Sequence, residues 1–141
     1  MTQQTVLSIS TRGQGLYEFT RQAQDFVKAS GVDLGLLTVF VRHTSCSLIV
    51  QENADPDVQR DLLSFFQRLV PPSTDPSMGW IVHRQEGPDD MPAHIKAALT
   101  QTSIGIPVSD GRMVLGTWQG LYLFEHRDIP HRRQVVLHLS Y

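Results

Sequence analysis

The stretch GPDDMPAHIKAAL, residues 87–99, places two adjacent carboxylates and a histidine around the start of a predicted helix. If that helix begins at Asp90, His94 lies one turn inside it. Asp90 can accept backbone N–H groups there, and Pro92 is tolerated in a first turn that lacks intrahelical partners. Helix capping is therefore a sufficient explanation of Asp90, and a chemical role must be argued together with other residues.

Three of the six histidines adjoin the ends or interruptions of predicted elements. His43 interrupts a buried strand, His83 ends a short strand, and His94 lies near a helix start. Three neutral imidazoles around one open coordination position would suit a catalytic divalent metal. No H-x-x-x-H or H-E-x-x-H spacing occurs. The alternative, that each histidine is only hydrogen-bonded or partly exposed, therefore stays open.

The segment EHRDIPHRR, residues 125–133, concentrates arginines beside Glu125. Arg127 and Arg133 could clamp a phosphate or pyrophosphate through charge-assisted hydrogen bonds, whereas the alternative is a solvated loop. In the preceding LYLFEH, the period of two places Glu125 on the same strand face as two leucines. An unpaired carboxylate on such a face is costly, which makes Glu125 a candidate functional residue.

Two further sequence features allow both a chemical and a structural interpretation. In GTWQG, Trp118 is bracketed by glycines and could stack on a heteroaromatic ring, or it could be a core residue. Ser45 lies near His43, but no G-x-S-x-G nucleophile elbow occurs, so Ser–His hydrolysis has little support.

The composition favours one globular domain over residues 1–141, with 40% hydrophobic and 18% charged residues. A net charge of −2 argues against nucleic acid or an anionic membrane as partner. The first residues resemble no signal peptide and no apolar run is long enough to span a membrane, so we expect a cytoplasmic protein. Cys46 is the only cysteine, which excludes an internal disulfide and a thiolate-rich metal site.

The pattern of elements predicts an α+β fold with a twisted, mostly antiparallel sheet and helices packed on one face. We expect an opening hairpin over residues 4–19, a helix from Thr20 to Gly31, and a long buried strand with a kink near residues 43–45. A second helix follows the cap and proline pair Asp55–Pro56. The remaining expectations are a short strand at WIVHR, the helix near Asp90, and later strands at IGIPV, RMVLGTWQ, LYLFEHR and RQVVLHLSY, with a hairpin turn at SDGR.

Three long segments resemble, in the same order, motifs of the YjbQ-like family. They are HTSCSLIVQENADPDVQRDL, EGPDDMPAHIKAAL and IPVSDGRMVLGTWQGLYLFEHRD. This family is uncharacterised, although secondary thiamine-phosphate synthase activity is attributed to it. The resemblance spans about residues 5–140 in one register. It implies an α+β YjbQ-like fold that assembles as a homotrimer.

The resemblance also carries site residues over to this chain. It implies His43, His83 and His94 as metal ligands, with Asp90 orienting His94. The matched motifs further imply roles in substrate binding or catalysis for these positions: Thr44, Ser45, Trp118, Gln119, Glu125, Arg127 and Arg133.

Three functions remain open at this point. The resemblance implies an enzyme that joins hydroxymethylpyrimidine pyrophosphate to thiazole phosphate and releases pyrophosphate. Three histidine ligands suit zinc better than magnesium, which prefers oxygen, and so favour a metal-dependent hydrolase of a small, phosphorylated metabolite with Glu125 or Asp90 as base. The third possibility is a trimer that binds a metal or small ligand without turning it over.

Overall fold

The structure is a computed structural model that describes residues 1–141. It contains eight strands and three α-helices, with a single 3-10 turn at Pro76–Met78. In chain order the elements are β1 Thr2–Ser10, β2 Gly15–Glu18, α1 Thr20–Ser30, β3 Gly35–Val41, β4 Cys46–Glu52, α2 Pro56–Leu69, α3 Asp90–Leu99, β5 Ser103–Ser109, β6 Arg112–Met113, β7 Gln119–Glu125 and β8 Arg132–Ser140.

The strands form two antiparallel sheets that share one hydrophobic core. The larger sheet has the order β1-β8-β3-β5-β6, and the smaller one has the order β2-β7-β4. Leu37 and Val39 of β3, Leu48 of β4 and Leu123 of β7 are fully buried in the same core cluster. Helix α1 adds Ala23 and Val27 to that cluster. The predicted α+β class with antiparallel strands is confirmed.

The chain crosses from one sheet to the other at the point where a kink was predicted. The run of residues 34–51, predicted as one kinked strand, is two strands, because β3 ends at Val41 and β4 begins at Cys46 in the smaller sheet. The four residues between them, which include His43 and Ser45, therefore lie at the junction of the two sheets.

Local signals correctly predict the start of α2, the end of α1 and one turn, whereas the helix cap expected at Thr20 is wrong because the N-cap of α1 is Phe19. Asp55 caps α2 by accepting the N–H of Asp57, and α1 ends at Gly31 in the left-handed conformation. The turn between β5 and β6 has positive φ at both central residues, Asp110 with 53° and Gly111 with 70°. This is the sign pattern that a two-residue hairpin requires, so the SDGR prediction is confirmed.

Three predictions of local structure are wrong. Strands β1 and β2 do not form a hairpin, because β1 pairs with β8 and β2 pairs with β7 in the other sheet. The segment WIVHR, residues 80–84, is irregular, and GTWQ forms a turn before β7 rather than the end of a strand. In both segments a tryptophan is more than half exposed, Trp80 in the first and Trp118 in the second, whereas Ile81 of WIVHR is buried.

The outer face of the larger sheet carries exposed apolar side chains. Val6 of β1 and Phe40 of β3 both pair in register with Val136 of β8, so the three side chains form a row across the sheet. Val6 is 47% exposed and Phe40 is 45% exposed. None of the helices of the chain is long and apolar enough to cross a membrane.

Candidate metal centre

Helix α3 presents Asp90 and His94 on the same face, because residues four apart in a helix are neighbours. The carboxylate of Asp90 is buried, and its Oδ2 lies 3.2 Å from His94 Nε2 and 2.7 Å from His83 Nε2. The N-cap residue is Asp89, which makes no side-chain capping bond. The interpretation of Asp90 as a helix cap is therefore wrong, and its carboxylate instead joins two imidazoles.

Four side chains with possible metal-ligand atoms lie close together around Asp90. One ligand atom each from His83, Glu86, Asp90 and His94 lies within 4.8 Å of all the others. Zinc–nitrogen and zinc–oxygen bonds of about 2.0–2.2 Å place ligand atoms roughly 3–4 Å apart, so binding of one ion would require the close pair of His83 and Asp90 to open slightly and the widest pair to close slightly. Asp90 is buried while Glu86 is 62% exposed, so the cluster opens to solvent on the glutamate side.

The backbone fixes the orientation of the His94 ring. His94 Nδ1 lies 3.0 Å from the carbonyl oxygen of Thr44, which can only accept, so Nδ1 carries the proton. In the neutral ring the lone pair of Nε2 then points at Asp90 Oδ2. Two electron-rich atoms at this distance require a positive charge between them, either a proton or a metal ion. A histidine that binds a metal through one ring nitrogen usually donates a hydrogen bond from the other nitrogen, as Nδ1 of His94 does to the Thr44 carbonyl.

Arg127 holds the other side of the Asp90 carboxylate. Its Nη1 lies 2.9 Å from Asp90 Oδ1, and its Nε lies 2.8 Å from Asp89 Oδ2. Its Nη2 donates to the carbonyl of Glu86. Burial alone would raise the pKa of Asp90, but the hydrogen bond with His83 and the charges of His94 and Arg127 hold that pKa below its usual range. Asp90 is thus a fixed anion that faces the imidazoles.

His83 lies on an irregular segment that a second arginine holds in place. The guanidinium of Arg84 donates to three carbonyls, those of Ile81, Ser73 and Met78. These bonds anchor the loop before α3 and so position the neighbouring imidazole. The hydrogen bond to Asp90 raises the pKa of His83 above its ordinary value.

Glu125 and Arg133 form a separate, buried ion pair. Glu125 Oε2 accepts from Arg133 Nε at 2.7 Å and from Thr11 Oγ1 at 2.8 Å. Arg133 Nη2 also contacts Glu125 Oε1 and donates to Ser45 Oγ. Glu125 has no exposed surface and Arg133 is 4% exposed. Both groups are satisfied by each other, so the structure leaves neither Glu125 free as a base nor Arg133 free to bind phosphate.

The other predicted site residues are spread over several places. The structure does not bring His43 to the cluster, because its Nε2 already accepts the N–H of Gln134 at 2.8 Å. Thr44 contributes its carbonyl oxygen rather than its hydroxyl. Trp118 is 62% exposed, and Gln119 accepts the N–H of Gly116 through its side chain within the same turn. Of the predicted residues, the structure thus groups His83, Asp90, His94, Arg127 and the backbone of Thr44.

Cys46 takes no part in this cluster. It is fully buried at the start of β4, and burial raises the pKa of its thiol to about 12. The thiol is therefore protonated at neutral pH, which makes it a poor nucleophile.

His126 is a buried neutral histidine next to Glu125. Its Nε2 lies 2.9 Å from Ser47 Oγ, and its Nδ1 has no hydrogen-bond partner. Burial, with added repulsion from Lys96 and Arg133, lowers the pKa of His126 to about 3.

This pKa predicts an acid-sensitive stability. Between about pH 6.5 and about pH 3, His126 binds a proton in the unfolded chain but not in the folded chain. The free energy of unfolding therefore falls by about 1.4 kcal/mol for each pH unit over this range. In urea titrations between pH 7 and 4, His126→Gln should show a shallower slope than the native chain. His138→Gln is the matched control, because His138 is half-buried and bonded to Gln4. An identical slope in all three proteins would contradict this assignment.

The sequence analysis assigned no role to Glu86 or Asp89. Both lie in the turn before α3, where acidic residues are ordinarily read as turn formers. The usable signal was the spacing D-x-x-x-H of residues 90–94, which is the helical spacing of H-x-x-x-H with a carboxylate in place of one imidazole. Together with His83, that spacing defines two imidazoles and a carboxylate.

The chain is a two-sheet α+β domain whose candidate metal centre offers nitrogen and oxygen ligands. Comparison with known proteins identifies its family. The family model described as UPF0047 protein YjbQ-like matches residues 5–141. The UPF0047 protein sll1880 of Synechocystis is 55% identical over 97% of this chain and 90% of its own length. UPF0047 protein YjbQ of Escherichia coli O157:H7 is 39% identical over 99% of both chains.

A crystal structure of an uncharacterised YjbQ/UPF0047 protein from Clostridium acetobutylicum is similar in fold. It superimposes with a TM-score of 0.86 and 34% identity, covering 96% of this chain and 99% of that one. This chain belongs to the YjbQ/UPF0047 family. The family expectation from the three sequence motifs is thereby confirmed.

Proposed function

We propose that this protein is a metal-dependent hydrolase of a small, phosphorylated metabolite. The observation that carries the proposal is the convergence of His83 Nε2 and His94 Nε2 on the buried Oδ2 of Asp90. Two imidazoles and a carboxylate would hold a divalent ion, and the solvent-exposed side of the cluster would leave coordination positions open. An ion bound there would supply a Lewis acid and a hydroxide at neutral pH.

The donor set favours zinc, iron or manganese over magnesium. Magnesium prefers six oxygen ligands and keeps several waters, whereas imidazole nitrogen suits the transition metals. The fixed negative charge of Asp90 between two rings adds to the attraction for a cation. The Thr44 carbonyl and Arg127 orient the ligands, a support that is usually worth 10–100-fold in metal affinity, as an order of magnitude.

Glu86 is the residue placed to act as general base. It is the most exposed member of the cluster, and its Oε2 lies 3.3 Å from His83 Nε2. A carboxylate at the open side would take a proton from an attacking water, while Asp90, paired with Arg127 through Oδ1, would remain a ligand of the ion. Glu86 replaces the two bases expected from sequence, since Glu125 is paired with Arg133 and Asp90 is fully engaged.

The arginine contacts weigh against the thiamine-phosphate synthase interpretation. Departure of pyrophosphate requires positive charge at its oxygens. Arg127 already binds Asp89, Asp90 and a carbonyl, and Arg133 binds Glu125 and Ser45. With both guanidinium groups occupied, phosphate oxygens would depend on the ion at the cluster. Hydrolysis needs only that ion, a water and a base.

The test is turnover by the metal-loaded protein and its Glu86→Gln variant. We expect the native protein, loaded with zinc, iron or manganese, to release phosphate from members of a panel of phosphorylated metabolites. Glu86→Gln should retain the metal and lose about 10²–10⁴-fold in kcat, as expected for a general base.

Two outcomes would contradict the hydrolase proposal. Formation of thiamine phosphate from the two phosphorylated precursors without hydrolysis of either would favour the synthase. Stoichiometric metal with no turnover of any substrate would favour a binding protein.

We also propose that the chain is a homotrimer, as the family resemblance implies. The row of Val6, Val136 and Phe40 supports association, because apolar side chains on the outer face of a sheet are normally covered. The melting temperature should then rise with protein concentration. Phe40→Asp should yield monomer in light-scattering measurements, whereas Leu34→Asp, at a 74% exposed apolar residue in the bend just before β3, should not. A concentration-independent melting temperature would contradict the proposal.

A further inference from the structure

We propose a second ligand site, separate from the metal cluster, that binds a small zwitterion such as an amino acid. The site is a recess of about 270 Å³. Its walls include Gln14, Pro72, Asp89, Pro92, Lys96 and Asp128. The proposal goes beyond the hydrolase assignment and does not depend on it.

The recess lies on the opposite side of α3 from the metal cluster. Asp90 and His94 face the cluster, while Pro92 and Lys96 line the recess. Each pair is four residues apart, and the two pairs are offset by two residues, which is roughly 200° around an α-helix. The helix therefore separates two sites of different composition.

Lys96 is the residue that makes this recess a candidate site. It is 3% exposed, and its Nζ donates to Gln14 Oε1 at 3.1 Å. Lys96 takes part in none of the ion pairs of the chain. An ammonium has three donors, so the single bond leaves most of its capacity unused. Asp89 and Asp128 line the same recess but lie beyond ion-pair distance of Nζ, so a carboxylate held directly against Nζ would lower the cost of burying its charge.

The surrounding carboxylates define the second charge of the ligand. Asp89 is engaged by Arg127, but Asp128 is exposed and pairs only with the amide of Gln14, at 2.6 Å from Gln14 Nε2 to Asp128 Oδ1. A simple anion at Lys96 would be repelled by Asp128. A molecule that carries both a carboxylate and an ammonium group can satisfy Lys96 and Asp128 together.

The size and walls of the recess limit the rest of the ligand. Pockets for drug-sized ligands span about 300–1,000 Å³, so about 270 Å³ suits a metabolite of amino-acid size. Pro72 and Pro92 give the recess an apolar wall. Such a wall would accept a short aliphatic side chain and disfavour a second charge.

The test is a titration of the ¹⁵N-labelled protein with the protein amino acids, each added singly, monitored by two-dimensional NMR. We expect at least one small, uncharged-side-chain amino acid to bind with a low-millimolar or tighter dissociation constant and to shift the amide signals of Lys96 and Asp128. Acetate and methylammonium, the two halves of the zwitterion, should bind at least about tenfold more weakly, because each makes one charged contact.

The chain offers a matched pair of lysine variants, because Lys28 and Lys96 are its only lysines. Lys96→Met should weaken binding at least about tenfold. Lys28→Met, which removes the same charge from an exposed position of α1, should leave binding unchanged. Asp128→Asn alters an exposed side chain, keeps the contact with Gln14, and should also weaken binding.

Three results would overturn the proposal: no amino acid binds, acetate binds as tightly as the amino acids, or Lys96→Met binds normally. If Lys96→Met does not fold, Asp128→Asn and the acetate comparison still decide the question. Metal content and turnover are measured on the same samples, so a failure here is separable from a failure of the hydrolase assignment.

Discussion

The His94→Ala variant is expected to bind zinc more than about 100-fold more weakly than the native chain, since loss of an outer partner alone costs 10–100-fold at metal sites. The variant removes Nε2, which faces Asp90 Oδ2, and leaves a half-buried position on α3 where alanine is a good helix former. The fold should therefore survive. Elemental analysis of dialysed protein, with circular dichroism as the check on folding, measures both effects.

Three matched variants make this expectation specific to the cluster. His83→Ala and Asp90→Asn should lose metal as His94→Ala does. His43→Ala should retain it, because the ring of His43 is bonded to the backbone of Gln134 and not to the cluster. If metal content falls in His43→Ala and persists in His94→Ala, the assignment of ligands is wrong.

The second large effect concerns the buried ion pair of Glu125 and Arg133. Arg133→Met should lower the free energy of unfolding by about 3–5 kcal/mol, because it leaves a buried carboxylate without its charged partner. Glu125→Leu should be comparably destabilised, since it leaves the buried guanidinium of Arg133 without its carboxylate partner. Urea unfolding at neutral pH measures both losses.

The double variant Glu125→Leu/Arg133→Met provides the control. Replacement of both charges by apolar groups of similar size is often neutral or stabilising, so the double variant should be more stable than either single one. Metal content should be unchanged wherever the protein is folded. If instead Glu125→Leu folds with native stability and loses only turnover, Glu125 is a catalytic residue, as the sequence had suggested.

Features of the fold that depend on neighbouring residues were predictable from sequence. The cap and proline at Asp55–Pro56, the glycine after α1, and the Asp110–Gly111 turn are set by local backbone preferences. The partners of β1 and β2 were not predictable in this way. β1 pairs with a strand more than a hundred residues away, and no local pattern encodes which distant strand completes a sheet.

The same distinction between local and distant determinants applies to the candidate site. The spacing of Asp90 and His94 on a helix was legible, but the contribution of His83 depended on a loop folded by Arg84. Glu125 drew attention because a carboxylate on an apolar strand face must be compensated. That requirement is met by a buried arginine as well as by a ligand, and the sequence does not distinguish the two.

The measurement that tests the account most directly is a crystal structure of the protein grown with zinc, with anomalous diffraction recorded at the zinc edge. The account predicts one strong anomalous peak within bonding distance of His83 Nε2, His94 Nε2 and Asp90 Oδ2. A peak at His43, or no peak while the cluster keeps its hydrogen bonds through protonated imidazoles, would contradict it.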